Sequence, residues 1–131
     1  MIDVTCAIIE RQGMALVVRR AEGMHLAGSW EFPGGKLRHG ESPKDCIVRE
    51  IKEELSLEVS PVAALEPVEH SYPDKAIRLI PFICALEGGE LELREHTEAR
   101  WLWPEDLQML ELCPADVPVA RSYLEHVGHI K

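Results

Sequence analysis

Between Gly34 and Leu57 the chain reads GGKLRHGESPKDCIVREIKEELSL. Glu50, Glu53 and Glu54 stand at i, i+3 and i+4, which on an α-helix places three carboxylates on one face. Like charges so placed repel one another and need a counter-charge. Arg49, four residues before Glu53, supplies part of it. A divalent cation held by oxygen ligands supplies the rest most simply, and Mg²⁺, with Mn²⁺ as a substitute, suits such a set. A solvated acidic face is the plainer alternative for any Glu-rich amphipathic helix.

A helix must hold these groups, and the same stretch carries its signals. Ser42 can act as N-cap and Pro43 then occupies the first helical position, where a missing N–H costs nothing. Asp45 places negative charge in the first turn. Cys46, Ile47, Ile51 and Leu55 recur at helical spacing, with Val48 at their edge. The pattern predicts a helix over 43–55 that buries one side and presents glutamates on the other.

Upstream, Trp30-Glu31-Phe32-Pro33 leads into Gly34-Gly35, and Gly35 stands six residues before Glu41, itself eight before Arg49. The full spacing, G-x5-E-x7-R-E-I-x-E-E-x-S-L, resembles the box of the Nudix hydrolases, G-x5-E-x7-R-E-U-x-E-E-x-G-U, with U a bulky aliphatic residue. Eight of nine defined positions match. The departure is Ser56, where the family has a helix-ending Gly, and a left-handed Ser costs roughly 1 kcal/mol. The resemblance implies an α/β/α sandwich around a mixed sheet, with the box as loop–helix–loop. It implies hydrolysis of a linked nucleoside diphosphate by water and divalent cations. Position by position, Glu53 and Glu54 become the main metal ligands and Glu50 a further ligand or the base. The Gly34 carbonyl is an additional ligand, Arg49 orients the carboxylates, and Glu41 supports the loop or an outer metal. Beyond the box, Glu95 resembles the outlying ligand or base of MutT-type members, with Glu98 as its competitor.

Arg19-Arg20-Ala21, Trp30 to Lys36, Tyr72-Pro73-Asp74 and Pro114-Ala115-Asp116 with Pro118 extend the likeness to that MutT-type branch. The branch converts nucleoside triphosphates to monophosphate and pyrophosphate. Arg20 would then contact phosphates, Phe32 and Leu26 would flank the base, and Tyr72 would belong to the same substrate site. The loop that carries His25, with its two glycines, can reach over a ligand. Asp116 stands where members acting on oxidised guanine nucleotides have a base-reading Asn. An ionised Asp only accepts hydrogen bonds, so it would accept from an exocyclic amine of cytosine or guanine. The segment Cys113 to Pro118 also resembles the CTP pyrophosphohydrolase members. Asp116 as N-cap of the last helix is the alternative, and both roles can hold together. A hydrolase of ADP-ribose or a dinucleoside polyphosphate, and a non-catalytic nucleotide-binding module, are the competing readings. The complete set of box glutamates weighs against the last.

At 131 residues the chain reads as one domain, 1–131, with 46% hydrophobic residues. A net charge of −9 weighs against binding a nucleic acid polymer, which needs a basic surface. It also means that a polyphosphate needs metal ions and local cations to approach. Cys6, Cys46, Cys84 and Cys113 form no C-x-x-C pair and read as reduced thiols of a cytoplasmic protein. No apolar run reaches the length of a membrane span, and MIDVTCAII is too brief and too acidic at its start for a secretory signal.

In chain order, Ile2–Glu10 and Met14–Arg19 read as strands about a turn at Arg11-Gln12-Gly13, and Trp30–Phe32 as a short strand. Leu57–Ser71 reads as a strand broken at Pro61 and bent at Pro67. Ala76–Leu86 follows a turn at Tyr72 to Lys75, with Pro81 marking an edge or a bulge. Gly88-Gly89 reads as a further turn and Ala99–Trp103 as a strand. Pro104 starts a short helical turn. A last helix over 114–127 presents Val117, Ala120, Leu124 and Val127 on one face. This mixed order predicts α/β layers.

Overall fold

The computed structural model describes residues 1–128, so the last three residues of the expected 1–131 domain span lie outside the described residues. Eight strands form one mixed sheet: β1 (Ile2–Arg11), β2 (Met14–Arg20), β3 (Trp30–Glu31), β4 (Gly34–Lys36), β5 (Leu57–Ala64), β6 (Val68–Tyr72), β7 (Lys75–Gly89) and β8 (His96–Leu102). Helix α1 (Pro43–Leu55) follows β4, and α2 (Asp116–His126) closes the described chain after a 3-10 turn over Pro104–Met109. The central path runs β3-β2-β1-β7-β5, with β4 on β1, β6 on β7 and β8 on β2. Only the β1–β7 pair is parallel among the strand pairings described.

Strand alternation builds the two layers. On one face Ala7, Ile9, Leu16 and Val18 pack against Ile47, Ile51 and Leu55 of α1. On the other, Cys6, Ile8, Ala15 and Val17 pack against Val119, Ala120 and Tyr123 of α2. Where β1 and β2 are covered on both sides, over Cys6 to Ile9 and Ala15 to Val18, their sequences read as continuous apolar runs. Full burial of Ile47, Ile51 and Leu55 contributes roughly 1.5–3 kcal/mol each. This is the expected α/β/α sandwich.

The local signals of α1 hold. Ser42 accepts from the Asp45 N–H at 3.1 Å, Pro43 starts the helix, and Ser56 ends it in the left-handed region at φ 58°. The β1–β2 hairpin turns on Gln12 and Gly13, both at positive φ, the backbone that a two-residue hairpin requires.

Four expectations change. Pro61 does not break its strand: β5 runs through it to Ala64, with Pro61 paired to Cys84 of β7, and the break before β6 falls at 65–67. Pro81 lies inside β7, opposite Cys6 of β1, at the seam where β6 gives way to β5. Its carbonyl accepts from Leu65 N–H at 3.0 Å. A strand residue's N–H and C=O point to the same side, so the missing N–H faces the gap between two partner strands. Gly88-Gly89 is the end of β7 and not a turn. A Cβ on Gly89 would stand 2.3 Å from the Ser56 carbonyl oxygen, so close approach explains the glycine there. On α2, Val117 is exposed, and Val119 and Tyr123 join Ala120 and Leu124 in the core. No helix among the described residues is long and apolar enough to cross a membrane.

Candidate active site

A cavity of about 230 Å³ opens between the end of α1, β4 and the start of α2. Glu54, Glu95, Gly34 and Gly35 line one part of it. Arg20, His25, Leu26, Phe32, Tyr72 and Asp116 line the rest. Residues up to 96 positions apart in sequence thus share one space, because β4 and β7 both pair with β1.

At the acidic end Glu54 is mostly buried. The Gly34 N–H donates to its carboxyl, yet Oε2 is buried with no hydrogen-bond partner in the described structure. Burial, then the charges of Glu50, Glu95 and Glu31, push its pKa up to about 8. Glu50 packs on Gly35, where a Cβ would stand 2.4 Å from the Glu50 carboxyl carbon. Glu53 points outward, pairing with Arg38 at 3.4 Å and Arg49 at 3.1 Å. The Arg49 guanidinium holds Glu41 at 2.6 Å and Glu50 at 2.8 Å, and reaches the Lys36 carbonyl at 3.2 Å. Those hydrogen bonds hold the Glu41 carboxyl down at about 2 and push Arg49 further up. Glu98 is turned away, paired with Arg19 and Arg100. An orphaned carboxylate oxygen, a glycine-made cradle and an all-oxygen donor set fit a hard divalent cation.

The two glycines separate experimentally. A Cβ on Gly34 would meet the Thr5 carbonyl oxygen at 2.0 Å, whereas a Cβ on Gly35 meets only the end of the Glu50 side chain. Gly34→Ala is expected to unfold or strongly destabilise the protein, by about 3 kcal/mol or more. Gly35→Ala is expected to keep its fold and lose activity as Glu50 is displaced. Thermal melts beside turnover assays distinguish the two.

At the other end a charged network appears that the residue pattern did not announce. Arg20 donates twice to Glu31 at 2.9 Å, and Nε donates to the His25 carbonyl. His96 Nε2 meets Glu31 Oε2 at 2.9 Å. A β-bulge produces this arrangement, since β8 pairs Glu98 with Arg19 but His96 with Arg20. Arg20 is therefore held by Glu31 and pins the loop that carries His25. His25 and His70 lie edge-on to Tyr72, at 5.1 and 4.5 Å between ring centroids.

Asp116 is 5% exposed, and its Oδ1 accepts from the Phe32 N–H at 3.0 Å. Ala115 occupies the N-cap position and makes no side-chain cap, so the N-cap role expected of Asp116 gives way to a tether between α2 and Phe32. Burial raises its pKa to about 8. A carboxyl that keeps its proton at neutral pH both donates and accepts, so the expectation of a purely accepting Asp116 is revised. Its stabilising effect is complete below the ordinary value of 3.8 and is lost as pH rises through about 8. Asp116→Asn is expected to remove that loss. In chelator, melting temperatures taken from acid to alkaline pH should diverge, with the variant increasingly the more stable.

Glu31, Cys113 and Asp116 also bring one donor atom each within 4.8 Å of one another. Burial pushes the Cys113 thiol up to about 12, Asp116 keeps its proton, and Glu31 is already engaged by Arg20 and His96. Such a trio suits hydrogen bonding to a ligand better than holding a cation.

The NUDIX domain model matches residues 1–126. The chain belongs to this family. As a Nudix hydrolase it is 34% identical over 124 residues to the CTP pyrophosphohydrolase of Escherichia coli (strain K12), covering 95% of this chain and 92% of the relative. It is 33% identical over 103 residues to the 8-oxo-dGTP diphosphatase of the same organism, covering 79% of this chain and 80% of the relative. The crystal structure of a MutT protein from Methanosarcina mazei Go1 superposes with a TM-score of 0.87 at 27% identity, covering 97% of this chain and 95% of that one. The Nudix chain is an enzyme, a nucleotide pyrophosphohydrolase.

Proposed function

We propose that this Nudix hydrolase is a cytoplasmic, Mg²⁺-dependent nucleoside triphosphate pyrophosphohydrolase that removes unwanted nucleotides from the precursor pool. In this reading water and a triphosphate give the monophosphate and pyrophosphate. The observation that carries it is that Glu54, whose Oε2 is buried without a partner among the described residues, lines one cavity together with a wall of apolar and polar side chains. Four buried, unpaired cysteines agree with a reducing compartment.

Glu54, Glu50 and the Gly34 carbonyl would hold the cation, with Glu53 and Glu95 completing the set. When bound, it neutralises phosphate oxygens and acidifies the attacking water. Arg49 fixes the direction of Glu50 and Glu53 by charge-assisted hydrogen bonds. Glu95, which faces the cavity, and Glu50, which keeps one oxygen clear of Arg49, are placed to take the water's proton. Arg20 offers the remaining edge of its guanidinium to the phosphates. Phe32 and Tyr72 flank the base, His25 covers it, and Asp116 reads its edge with a donor and an acceptor. A protonated Asp116 offers the same pair of functions as an Asn, so cytosine and oxidised guanine both remain within its reach. CTP and 8-oxo-dGTP, the substrates in the names of the two Escherichia coli relatives, are the leading candidates.

A competition assay tests this reading. The protein with Mg²⁺ receives an equimolar mixture of ordinary and modified cytosine triphosphates, 8-oxo-dGTP, the other dNTPs and ADP-ribose. Preferential loss of a cytosine or oxidised-guanine triphosphate is expected, with the preference kept in Asp116→Asn and lost in Asp116→Ala. Turnover of ADP-ribose alone would overturn the triphosphate assignment.

A further inference from the structure

We propose that Arg94 is a positioning residue for hydrolysis: it pins the segment that carries Glu95 to the C-terminal end of α1, and so keeps Glu95 in the cavity that Glu54 also lines. The proposal rests on the metal-dependent reading of the site above.

A helix leaves its last carbonyls without helical partners. Here the Ser56 N–H takes the Lys52 carbonyl at 3.1 Å and the Glu92 N–H takes that of Leu55 at 3.0 Å. The Arg94 guanidinium donates to the carbonyl of Glu53 and reaches that of Lys52 at 3.5 Å. It also donates to the hydroxyl of Ser56. Ser56 is the one departure from the motif, and the Gly it replaces has no such acceptor. The left-handed cost at Ser56 is thus partly offset by a link that a glycine does not make. A cation at this end also opposes the helix dipole.

The consequence falls on Glu95. Its side chain is exposed to the cavity and makes no hydrogen bond of its own in the described structure, while its charge raises the pKa of Glu54. The residue before it, Arg94, is fixed to α1 by its guanidinium. The residue after it, His96, is fixed to Glu31. Two side-chain anchors therefore flank a carboxylate that makes no hydrogen bond among the described residues, and one of them, beside the Glu92 backbone bond to Leu55, attaches to the helix that bears Glu50, Glu53 and Glu54.

The test compares the native protein with Arg94→Ala, Arg94→Lys and Ser56→Gly. Mn²⁺ binding is followed by electron paramagnetic resonance without nucleotide, kcat and KM for the preferred triphosphate are measured with Mg²⁺, and melting temperature is recorded for each. Arg94→Ala is expected to weaken Mn²⁺ binding and lower kcat by about 10-fold each, with KM unchanged. Arg94→Lys keeps the charge at the helix end and should restore the melting temperature. It should not restore Mn²⁺ affinity, because one ammonium cannot span the carbonyls and the Ser56 hydroxyl together. Ser56→Gly should weaken Mn²⁺ binding in the native background and have no further effect on top of Arg94→Ala. A lower melting temperature with native Mn²⁺ affinity and kcat in Arg94→Ala would reduce Arg94 to a helix cap and overturn the proposal alone. A native protein that neither binds Mn²⁺ nor hydrolyses any triphosphate would overturn the metal-dependent reading, and this proposal with it.

Discussion

Glu54→Gln is expected to lower kcat by roughly 10³-fold, the loss of about 4 kcal/mol of transition-state stabilisation, while the protein stays folded. Glu54 is the box carboxylate that faces the cavity most directly, and its Oε2 has no partner in the described structure. Gln keeps the shape and can still accept from the Gly34 N–H, but it cannot carry the charge that a cation requires. The same substitution removes a mostly buried group whose ionisation burial disfavours. In chelator the variant should therefore melt no lower than the native protein, and at alkaline pH it should melt higher. Activity and stability would move in opposite directions, as expected where a buried charge is kept for function and not for folding. Turnover and melting temperature measured on one preparation check both halves. A variant that melts well below the native protein would mean that Glu54 is structural.

Arg49→Gln should damage both properties. One guanidinium engages Glu41, Glu50 and Glu53, and only 18% of the Arg49 side chain is exposed. Without it three carboxylates lose their common counter-charge. The network is only partly shielded from solvent, so its loss should lower stability by more than that of an isolated surface pair and by less than that of a buried one. Activity should fall by about 10²-fold, because Glu50 loses the bond that fixes its direction. Arg49→Lys should recover part of the stability and little of the activity, since an ammonium lacks the fork that bridges several carboxylates at once. Urea unfolding and steady-state rates give the two numbers. Equal activity in the Lys and native proteins would show that charge alone suffices at this position.

The residues that define α1 were legible because their signals are local. Ser42, Pro43, the Ile47-Ile51-Leu55 stripe and the glutamate spacing all act within a few turns of one helix. The resemblance to the box added the roles of those glutamates. The other wall of the cavity follows different physics. Glu31 and His96 meet only because β2 pairs with both β3 and β8 and because a bulge shifts the register beside Arg20. No period in the sequence encodes that bulge. A charged Glu31 between buried Trp30 and Phe32 is the one available signal, and strand patterning alone does not separate it from a solvated carboxylate. Pro81 sits inside β7 and not at the expected edge or bulge, because its tolerance depends on where two separate strands hand over along β7. Spacing alone places Val117 on the core face, whereas packing selects Val119 and Tyr123. The Pro114-Ala115-Asp116 segment marks Asp116 as a site residue, but its protonation depends on burial that no linear pattern reports.

The most direct measurement is product analysis by phosphorus-31 NMR. Native protein and Glu54→Gln are incubated with CTP or 8-oxo-dGTP, each with Mg²⁺ and with chelator. Monophosphate and pyrophosphate should accumulate with the native protein and Mg²⁺, and with neither the variant nor the chelator. Diphosphate with orthophosphate, or undiminished turnover in Glu54→Gln or in chelator, would contradict the account.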